Sequence, residues 1–277
     1  MSYKRILTIQ DISCFGQCSL TVALPILSAC GIETCVLPSA VLSTHTGGFT
    51  GYTFRDLTED IPEIQKHWEK ENIKFDAFYT GYLGSVKQIE YVKNVFDATG
   101  RPGSIRVVDP VIGDYGKLYA GFDDKFIEAM KDLCCSADFI LPNITEACLL
   151  TGTEYRESYD EAYVDELLEK LDSAFNATII LTGACCFDKK TGIAIYKEGK
   201  KTYYQHKRID GSYHGTGDIF ASAFSGALLC GKSELEAAKI AADYTVECIQ
   251  ATSDAKEHWY GTRFELVLGK LIDSLKK

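Results

Sequence analysis

The stretch that decides the fold begins at residue 210 and reads Asp210-Gly211-Ser212-Tyr213-His214-Gly215-Thr216-Gly217-Asp218. Residues 219–229 follow without a break and are all small or apolar. Such a run predicts a helix that is buried on all sides and is entered through a tight glycine loop. The first turn of a helix leaves backbone N–H groups without partners at the positive end of its dipole. The stretch therefore indicates a site for an anion at the start of a buried helix.

Asp218 is the unusual residue of this loop, because an anion cradle has no need of a carboxylate aimed at the same place. A carboxylate beside a bound phosphate suggests a base that deprotonates an attacking hydroxyl. The alternative is that Thr216 or Asp218 only caps the helix, since both residue types are favoured there. For an isolated Gly-Thr-Gly-Asp the two interpretations are about equally supported, so the rest of the chain has to decide.

Composition is that of an ordinary soluble globular protein. The chain has 277 residues, of which 46% are hydrophobic and 25% charged, and no stretch is long and apolar enough to span a bilayer. Residues 1–5 lead into an apolar strand without a signal-peptide pattern, so we expect a cytoplasmic protein with no membrane partner. The net charge of −10 argues against nucleic acid as a partner. A nucleotide substrate remains compatible with it, because Mg²⁺ and helix-end amides neutralise phosphates locally.

The eleven cysteines are scattered through apolar segments. An odd number of cysteines without an export signal favours buried thiols over a disulfide framework. The adjacent pairs and the four-residue spacing of Cys14 and Cys18 lack the gaps and histidine partners of a zinc site, so we expect no structural metal. We also expect Cys185 and Cys186, which lie close to a strand end, to be inert thiols.

Strand and helix patterns alternate along the chain. Strands are expected at residues 5–10, 33–38, 77–80, 105–108, 139–141 and 178–181, and an antiparallel pair at 193–196 and 202–205. Helical patterns occupy 19–30, 61–72, 86–96, 126–133, 144–150, 159–174, 219–229, 234–251 and 263–275. Without a repeat or linker, this order predicts a single α/β domain over residues 1–277. It has three α/β/α layers and a mostly parallel central sheet with an antiparallel edge pair.

Polar loops follow the carboxyl ends of the predicted strands. They begin at Asp11, Gly81, Asp109, Asn143 and Thr182. Ligands of parallel sheets bind at the carboxyl ends of the strands, so we expect these loops to converge on one face. This convergence favours a functional site over a simple helix cap at the Gly-Thr-Gly-Asp loop.

Several of these loop residues have two interpretations. Asp109 and Asp114 could hold a hydrated Mg²⁺ with Glu146, because that ion takes few carboxylates plus waters and substrate phosphates. Asp-Pro and Gly-Asp are also ordinary turn pairs, and Asn143 with Glu146 has the spacing of a capping box. Glu146 could do both.

The residues expected on the substrate side of the site also have two interpretations each. Tyr82 could stack on an aromatic ligand or belong to the core, and His45 could contact a ligand or cap a turn.

As an ordered set, these motifs resemble the ribokinase-like superfamily and, within it, the pyridoxal (pyridoxine, pyridoxamine) kinases. The set comprises Ile9-Gln10, Ser43-Thr44-His45-Thr46, Thr80-Gly81-Tyr82-Leu83-Gly84-Ser85, Asp109-Pro110-Val111-Ile112-Gly113-Asp114, Pro142-Asn143-Ile144-Thr145-Glu146 and Gly215-Thr216-Gly217-Asp218. It covers nearly the whole chain and implies the ribokinase-like form of the α/β fold.

The resemblance implies an enzyme of vitamin B6 salvage. Such kinases transfer the γ-phosphate of ATP to the 5′-hydroxymethyl group of a pyridine, need Mg²⁺ and usually a monovalent cation such as K⁺, and are typically homodimers. Carried over by motif, Asp218 is the expected general base, and Gly215, Thr216 and Gly217 form the expected anion hole.

The same comparison assigns the remaining site residues. Mg²⁺ and its waters are expected at Asp109, Asp114 and Glu146. The nucleotide phosphates are expected along Asn143, Thr182 and Gly183. The substrate ring is expected among Asp11, His45, Thr46 and Tyr82.

One motif departs from the pyridoxal kinase pattern, in which Ser generally follows Ile-Gln. Here the chain has Asp11-Ile12-Ser13, closer to the Asp-Pro-Ser of hydroxymethylpyrimidine kinases in the same superfamily, which leaves a thiamine-precursor kinase as an alternative. Two features argue against the thiamine-precursor kinase. One is Asp218, where those enzymes commonly carry Cys, and the other is Gly113-Asp114 after Asp-Pro-Val. Asp11 could accept a hydrogen bond from a protonated ring nitrogen or an amine, which favours pyridoxamine or pyridoxine. A catalytically idle ligand-binding protein on the same fold is the alternative from another class, against which Asp218 argues.

Overall fold

A computed structural model describes residues 3–184, 190–209, 211, 213–255 and 257–276. The strands of its main sheet are β1 Arg5–Ser13, β2 Glu33–Leu42, β3 Phe54–Asp56, β4 Phe75–Thr80, β5 Gly100–Val108, β8 Phe139–Ile140, β9 Thr178–Thr182, β10 Lys190–Lys197 and β11 Lys200–Lys207. A separate small antiparallel pair consists of β6 Gly113–Asp114 and β7 Lys117–Leu118.

The order of strands across the main sheet is β11-β10-β9-β8-β5-β4-β1-β2-β3. Neighbours from β9 to β2 run parallel. The antiparallel strands β10 and β11 extend one edge, and β3 pairs antiparallel with β2 at the other. The mostly parallel sheet with an antiparallel edge pair is therefore confirmed.

Helices cover both faces of this sheet. They are α1 Leu20–Ala29, α2 Asp60–Lys70, α3 Val86–Thr99, α4 Asp124–Cys134, α5 Ile144–Thr151, α6 Glu161–Ala174, α7 Thr216–Leu229, α8 Glu234–Thr252 and α9 Leu268–Leu275, with a 3₁₀ turn at Phe264–Val267. Successive strand side chains point to opposite faces, so Leu7 packs with α2 to α6 and Ile6 with α1, α7, α8 and α9. The three-layer α/β/α arrangement follows from these two cores.

Helix α7 is the buried helix that its sequence predicts. Nine consecutive residues, from Ile219 to Ala227, are buried. The helix packs between α1 and α8, which explains why it carries small and apolar residues on every side.

Two features of the sheet differ from the sequence prediction. Strand β1 continues to Ser13 and contains Asp11, which was expected to begin a loop. A register shift lies between Gln10 and Ile12, so the strand is bulged at Asp11. The edge strand β3 was not predicted, because its three residues are all exposed and give no apolar pattern.

No helix within the described residues is long and apolar enough to cross a membrane. The nine described cysteines are free thiols. Cys185 and Cys186, which we expected to be inert, lie outside the described residues, as do Asp210 and Ser212 of the loop before α7.

Candidate active site

The loop before α7 is built around Gly215. Its φ of +76° lies in the left-handed region, and a Cβ at this position would lie 2.0 Å from the backbone oxygen of Gln17. Both facts require glycine. Gly217 differs, because a Cβ there would meet open space. The loop is thus held closely against residue 17 and is open at residue 217.

The start of α7 carries no side-chain cap. Gly215 is the N-cap residue, and no described side chain accepts a capping hydrogen bond there. The Thr216 hydroxyl instead donates to the carbonyl oxygen of Tyr213 at 3.3 Å. Neither Thr216 nor Asp218 is therefore the N-cap residue of α7. The first-turn amides at the positive end of the helix dipole suit an anionic ligand.

Asp218 lies in this first turn, and its environment raises its pKa toward neutrality. Burial, which penalises the charged form, is the main reason that the pKa of Asp218 is raised to about 7. The backbone N–H of Ser19 donates a hydrogen bond to the carboxylate and lowers this pKa, whereas the charge of Asp11 raises it. A carboxylate with a pKa near neutrality accepts and releases a proton readily, which suits a general base.

Two further buried carboxyl groups follow, Asp109 beside Asp218 and Glu146 beside Asp109. Burial and then the charge of Asp218 raise the pKa of Asp109 well above its usual value. Burial and then the charge of Asp109 do the same to the pKa of Glu146. Ionised together, these groups would place several negative charges in a small buried volume, and a bound cation favours that ionised form.

Asp114 is the most exposed of the carboxylates expected around Mg²⁺. Its Oδ1 accepts a hydrogen bond from the N–H of Tyr115 at 2.8 Å. Across the described ranges, no group of three or more His, Cys, Asp or Glu residues could hold a metal ion by itself. Mg²⁺ does not require such a group, because it keeps several waters and binds one or two carboxylates together with substrate phosphates. The oxygen donors of Asp109 and Glu146 therefore fit Mg²⁺ that binds with a nucleotide.

Asn143 and Glu146 form the capping box of α5 that their spacing allowed. Asn143 Oδ1 accepts from the Glu146 N–H at 2.9 Å, and Glu146 Oε2 accepts from the Asn143 N–H at 2.8 Å. Glu146 Oε1 also accepts from the Ile112 N–H at 3.3 Å. Glu146 thus caps a helix and at the same time lies beside Asp109.

A cavity of about 380 Å³ opens next to these groups. Its wall includes five residues that the sequence analysis assigned to the site, namely Asp114, Asn143, Thr182, Gly183 and Thr216. The Thr182 hydroxyl donates to the carbonyl oxygen of Pro142 at 3.3 Å, and Gly183 has a φ of +68°. The structure therefore brings the residues expected along the nucleotide phosphates to the start of α7.

No sequence motif marked the rest of this wall. It consists mainly of Tyr155, Tyr159, Arg208, Ile209, Val246 and Ile249. Flat and apolar side chains suit a purine base, and a guanidinium group suits phosphate. These residues come from the segment after α5, the end of β11 and α8, which meet only in the fold, so no local motif marks them.

Asp11, whose charge acts on Asp218, is only 6% exposed, and two serine hydroxyls bind its carboxylate. Its Oδ1 accepts from the Ser19 hydroxyl at 2.6 Å, and its Oδ2 accepts from the Ser13 hydroxyl at 2.9 Å. Tyr82 is close enough to Asp11 to feel its charge. Burial and then the charge of Asp11 raise the pKa of Tyr82 to about 12. The Tyr82 ring stacks on Phe122 with ring centroids 5.9 Å apart.

His45 is tied to the protein through both ring nitrogens. Nδ1 accepts from the Gly47 N–H at 3.1 Å, and Nε2 lies 2.8 Å from the carbonyl oxygen of Tyr260. In this arrangement both ring nitrogens are occupied by the protein. A ligand can therefore meet His45 only through the ring face or edge. That contact stays a prediction, as does the contact of the exposed Thr46.

An aromatic cluster that the sequence analysis did not predict lies next to His45. The ring centroids of Phe15 and Tyr260 are 4.7 Å apart, and those of Phe49 and Trp259 are 4.6 Å apart. A Cβ at Gly48, which has a φ of +81°, would lie 2.7 Å from the Trp259 ring. Three loops distant in sequence thus pack together beside the residues expected around the substrate ring.

Comparison with known proteins gives consistent matches over most of the chain. A family model described as phosphomethylpyrimidine kinase matches residues 24–262. A solved structure from Bacteroides thetaiotaomicron VPI-5482, designated a phosphomethylpyrimidine kinase and crystallised with pyridoxal, is 36% identical with a TM-score of 0.91. That match covers 98% of this chain and 96% of the other.

Two further relatives carry pyridoxal kinase names. The structure of pyridoxal kinase from Lactobacillus plantarum is 32% identical, with a TM-score of 0.91 and 98% of each chain covered. The pyridoxal kinase PdxY of Actinobacillus pleuropneumoniae is 28% identical over 267 residues, which cover 91% of this chain and 90% of that protein.

Proposed function

This chain belongs to the phosphomethylpyrimidine kinase family, and from that membership we propose an ATP-dependent kinase that phosphorylates the 5′-hydroxymethyl group of a vitamin B6 vitamer. The observation that carries the proposal is the position of Asp218. This carboxylate, with a pKa of about 7, lies at the uncapped start of a buried helix and beside a cavity of nucleotide size.

The relatives support the choice of acceptor. The Lactobacillus plantarum and Actinobacillus pleuropneumoniae proteins are named pyridoxal kinases, and the Bacteroides thetaiotaomicron structure was obtained with pyridoxal. The reaction class is therefore phosphoryl transfer from ATP to a primary alcohol on a pyridine, with pyridoxal, pyridoxamine and pyridoxine as candidate acceptors.

The site residues have separate roles in this transfer. Asp218 takes the proton of the acceptor hydroxyl while the hydroxyl oxygen attacks the γ-phosphorus of ATP. The bond from that phosphorus to the β–γ bridging oxygen breaks, and ADP leaves. The backbone amides of Gly215, Thr216 and Gly217 stabilise the charge on the transferring group. The nucleotide lies in the cavity along Asn143, Thr182 and Gly183.

Mg²⁺ fits the same site. Asp109, Asp114 and Glu146 would hold the ion and its waters, and the ion supplies positive charge that neutralises the nucleotide phosphates. Asp109 and Glu146 contribute buried oxygen donors whose mutual repulsion a cation relieves.

Four further properties are proposals that rest on the resemblance and the sequence patterns. They are a requirement for a monovalent cation such as K⁺, a homodimeric assembly, a cytoplasmic location and a single domain formed by residues 1–277.

One assay tests the proposed function. Purified protein receives Mg-ATP with pyridoxal, pyridoxamine, pyridoxine or hydroxymethylpyrimidine, and both ADP release and the phosphorylated product are measured. We expect product with at least one B6 vitamer. Turnover of hydroxymethylpyrimidine alone would favour the thiamine-precursor kinase, and binding without turnover of any acceptor would favour the idle protein.

The thiamine-precursor alternative has specific support, because the matching family model is described as phosphomethylpyrimidine kinase and Asp11-Ile12-Ser13 is similar to the motif of those enzymes. If the enzyme is a vitamin B6 kinase, Asp11 favours pyridoxamine or pyridoxine, because its carboxylate accepts a hydrogen bond from a protonated nitrogen of the vitamer. The structure constrains this idea, because Ser13 and Ser19 already donate to that carboxylate. Equal relative turnover of the three vitamers by wild type and Asp11→Ser would refute it.

A further inference from the structure

Ser19 has an unusual backbone. It lies between β1 and α1 with φ 54° and ψ −130°, a combination that favours glycine. Within the described part of the chain, four non-glycine residues have positive φ, and Ser19 is the buried one, since Asn72, Tyr115 and Glu198 are exposed. A strained, buried, non-glycine residue persists only where its surroundings fix it, and such residues cluster at functional sites.

The Ser19 hydroxyl does not perform its usual task at this position. Ser19 is the N-cap residue of α1, where a serine normally accepts a hydrogen bond from the first turn, but no such bond from the described residues is present. The hydroxyl instead donates to Asp11 Oδ1 at 2.6 Å. A charge-assisted bond of this length holds the residue firmly.

The backbone N–H of Ser19 interacts with the other carboxylate, because a hydrogen bond from this N–H lowers the pKa of Asp218 against the effect of burial. The neighbouring backbone oxygen of Gln17 lies where a Cβ of Gly215 would clash, at 2.0 Å. The segment before α1 is therefore in close contact with the loop before α7. Ser19 links Asp11 and Asp218 through two different groups of one residue.

We propose that Ser19 is a positioning residue for the base: its hydroxyl bond to Asp11 stabilises the left-handed backbone, and that backbone aims the N–H at Asp218. This inference rests on the proposed role of Asp218 as the base. In this proposal Ser19 contacts the base but neither the acceptor hydroxyl nor the transferring phosphoryl group. It fixes the direction of the carboxylate lone pair that receives the proton of the acceptor.

Two substitutions separate the hydroxyl from the backbone. Ser19→Ala removes the hydroxyl and keeps the strain of a Cβ, so the N–H is expected to turn away from Asp218. Ser19→Gly also removes the hydroxyl, but glycine adopts this conformation without strain. We expect Ser19→Ala to lower kcat by at least about tenfold, the loss typical of a hydrogen bond to a charged group, with KM for ATP and vitamer within about twofold. Ser19→Gly should recover most of that rate.

The kcat values of the two Ser19 variants are compared with those of a matched pair of control variants. Asn72→Ala and Asn72→Gly make the same pair of changes at an exposed positive-φ position after α2 and are expected to leave kcat unchanged. If Ser19→Ala folds poorly, Ser19→Cys replaces it, since a thiol of similar size is only a weak donor.

Two results would overturn the proposal. One is an equal loss in Ser19→Gly and Ser19→Ala, and the other is a normal kcat in Ser19→Ala. Asp218→Asn is measured in parallel to keep the two claims distinct. A large loss in Asp218→Asn with normal Ser19 variants rejects only the role of Ser19, whereas a normal rate in Asp218→Asn rejects Asp218 as the base.

Discussion

Replacing Asp218 with Asn should stabilise the protein at neutral and alkaline pH while it removes the proposed base. The folded protein holds this carboxyl with a pKa of about 7, against 3.8 for the ordinary group. Because the folded pKa is raised, the unfolded chain releases its proton first as the pH rises. Stability is therefore lost between about pH 4 and pH 7 and stays low above that range.

The size of the effect follows from the same two values. About three pKa units, at about 1.4 kcal/mol each, give about 4 kcal/mol at pH 8 and about 2 kcal/mol at pH 5. Asn cannot ionise and is nearly the same size, so Asp218→Asn should recover about these amounts. Active-site groups commonly reduce stability in this way, because burial that tunes a base also penalises its charge.

Urea unfolding of wild type and Asp218→Asn at pH 5 and pH 8 measures this difference, in EDTA and without nucleotide, so that no cation compensates the charge. Asp254→Asn, at an exposed position, is the control and should change the unfolding free energy little at either pH. A gain that is absent at pH 8, or equal at the two pH values, would show that the reasoning about Asp218 is wrong.

Three further predictions concern the rest of the site. Asp109→Ala should raise the Mg²⁺ concentration needed for half-maximal activity, because a buried oxygen donor is lost; an unchanged Mg²⁺ titration would remove Asp109 from the metal site. Gly215→Ala should lower the unfolding free energy, since its Cβ would meet the Gln17 oxygen at 2.0 Å, whereas Gly217→Ala should not, and equal urea midpoints would contradict this. Thr182→Phe should fill the cavity and raise KM for ATP with little change in KM for the vitamer, and the reverse pattern would move the nucleotide elsewhere.

The sequence predicted the parts of the structure that repeat a local pattern. Apolar runs ending in polar loops predicted the parallel strands, and the run after Asp218 predicted the buried helix α7. Glu146 and Asn143 carried a capping-box spacing that the structure confirms. In these cases neighbours in the chain make the decisive contacts.

The remaining features depend on contacts between distant segments. Tyr260 lies 215 residues from His45 in the sequence, and its carbonyl oxygen contacts the His45 ring. In the wall of the cavity, Arg208 at the end of β11 lies with Val246 of α8. Asp11 was placed in a loop because a polar residue after an apolar run usually ends a strand; a bulge keeps it within β1. Ser19 gave no signal, since its importance lies in a backbone angle and in two carboxylates that only the fold brings close.

The most direct test of the account is the kcat of Asp218→Asn with saturating Mg-ATP and the preferred B6 vitamer. A general base contributes about 10²-fold or more, so we predict a loss of at least that size, with KM for ATP nearly unchanged because the nucleotide cavity is intact. A rate close to that of the wild type would contradict the assignment of Asp218 as the base.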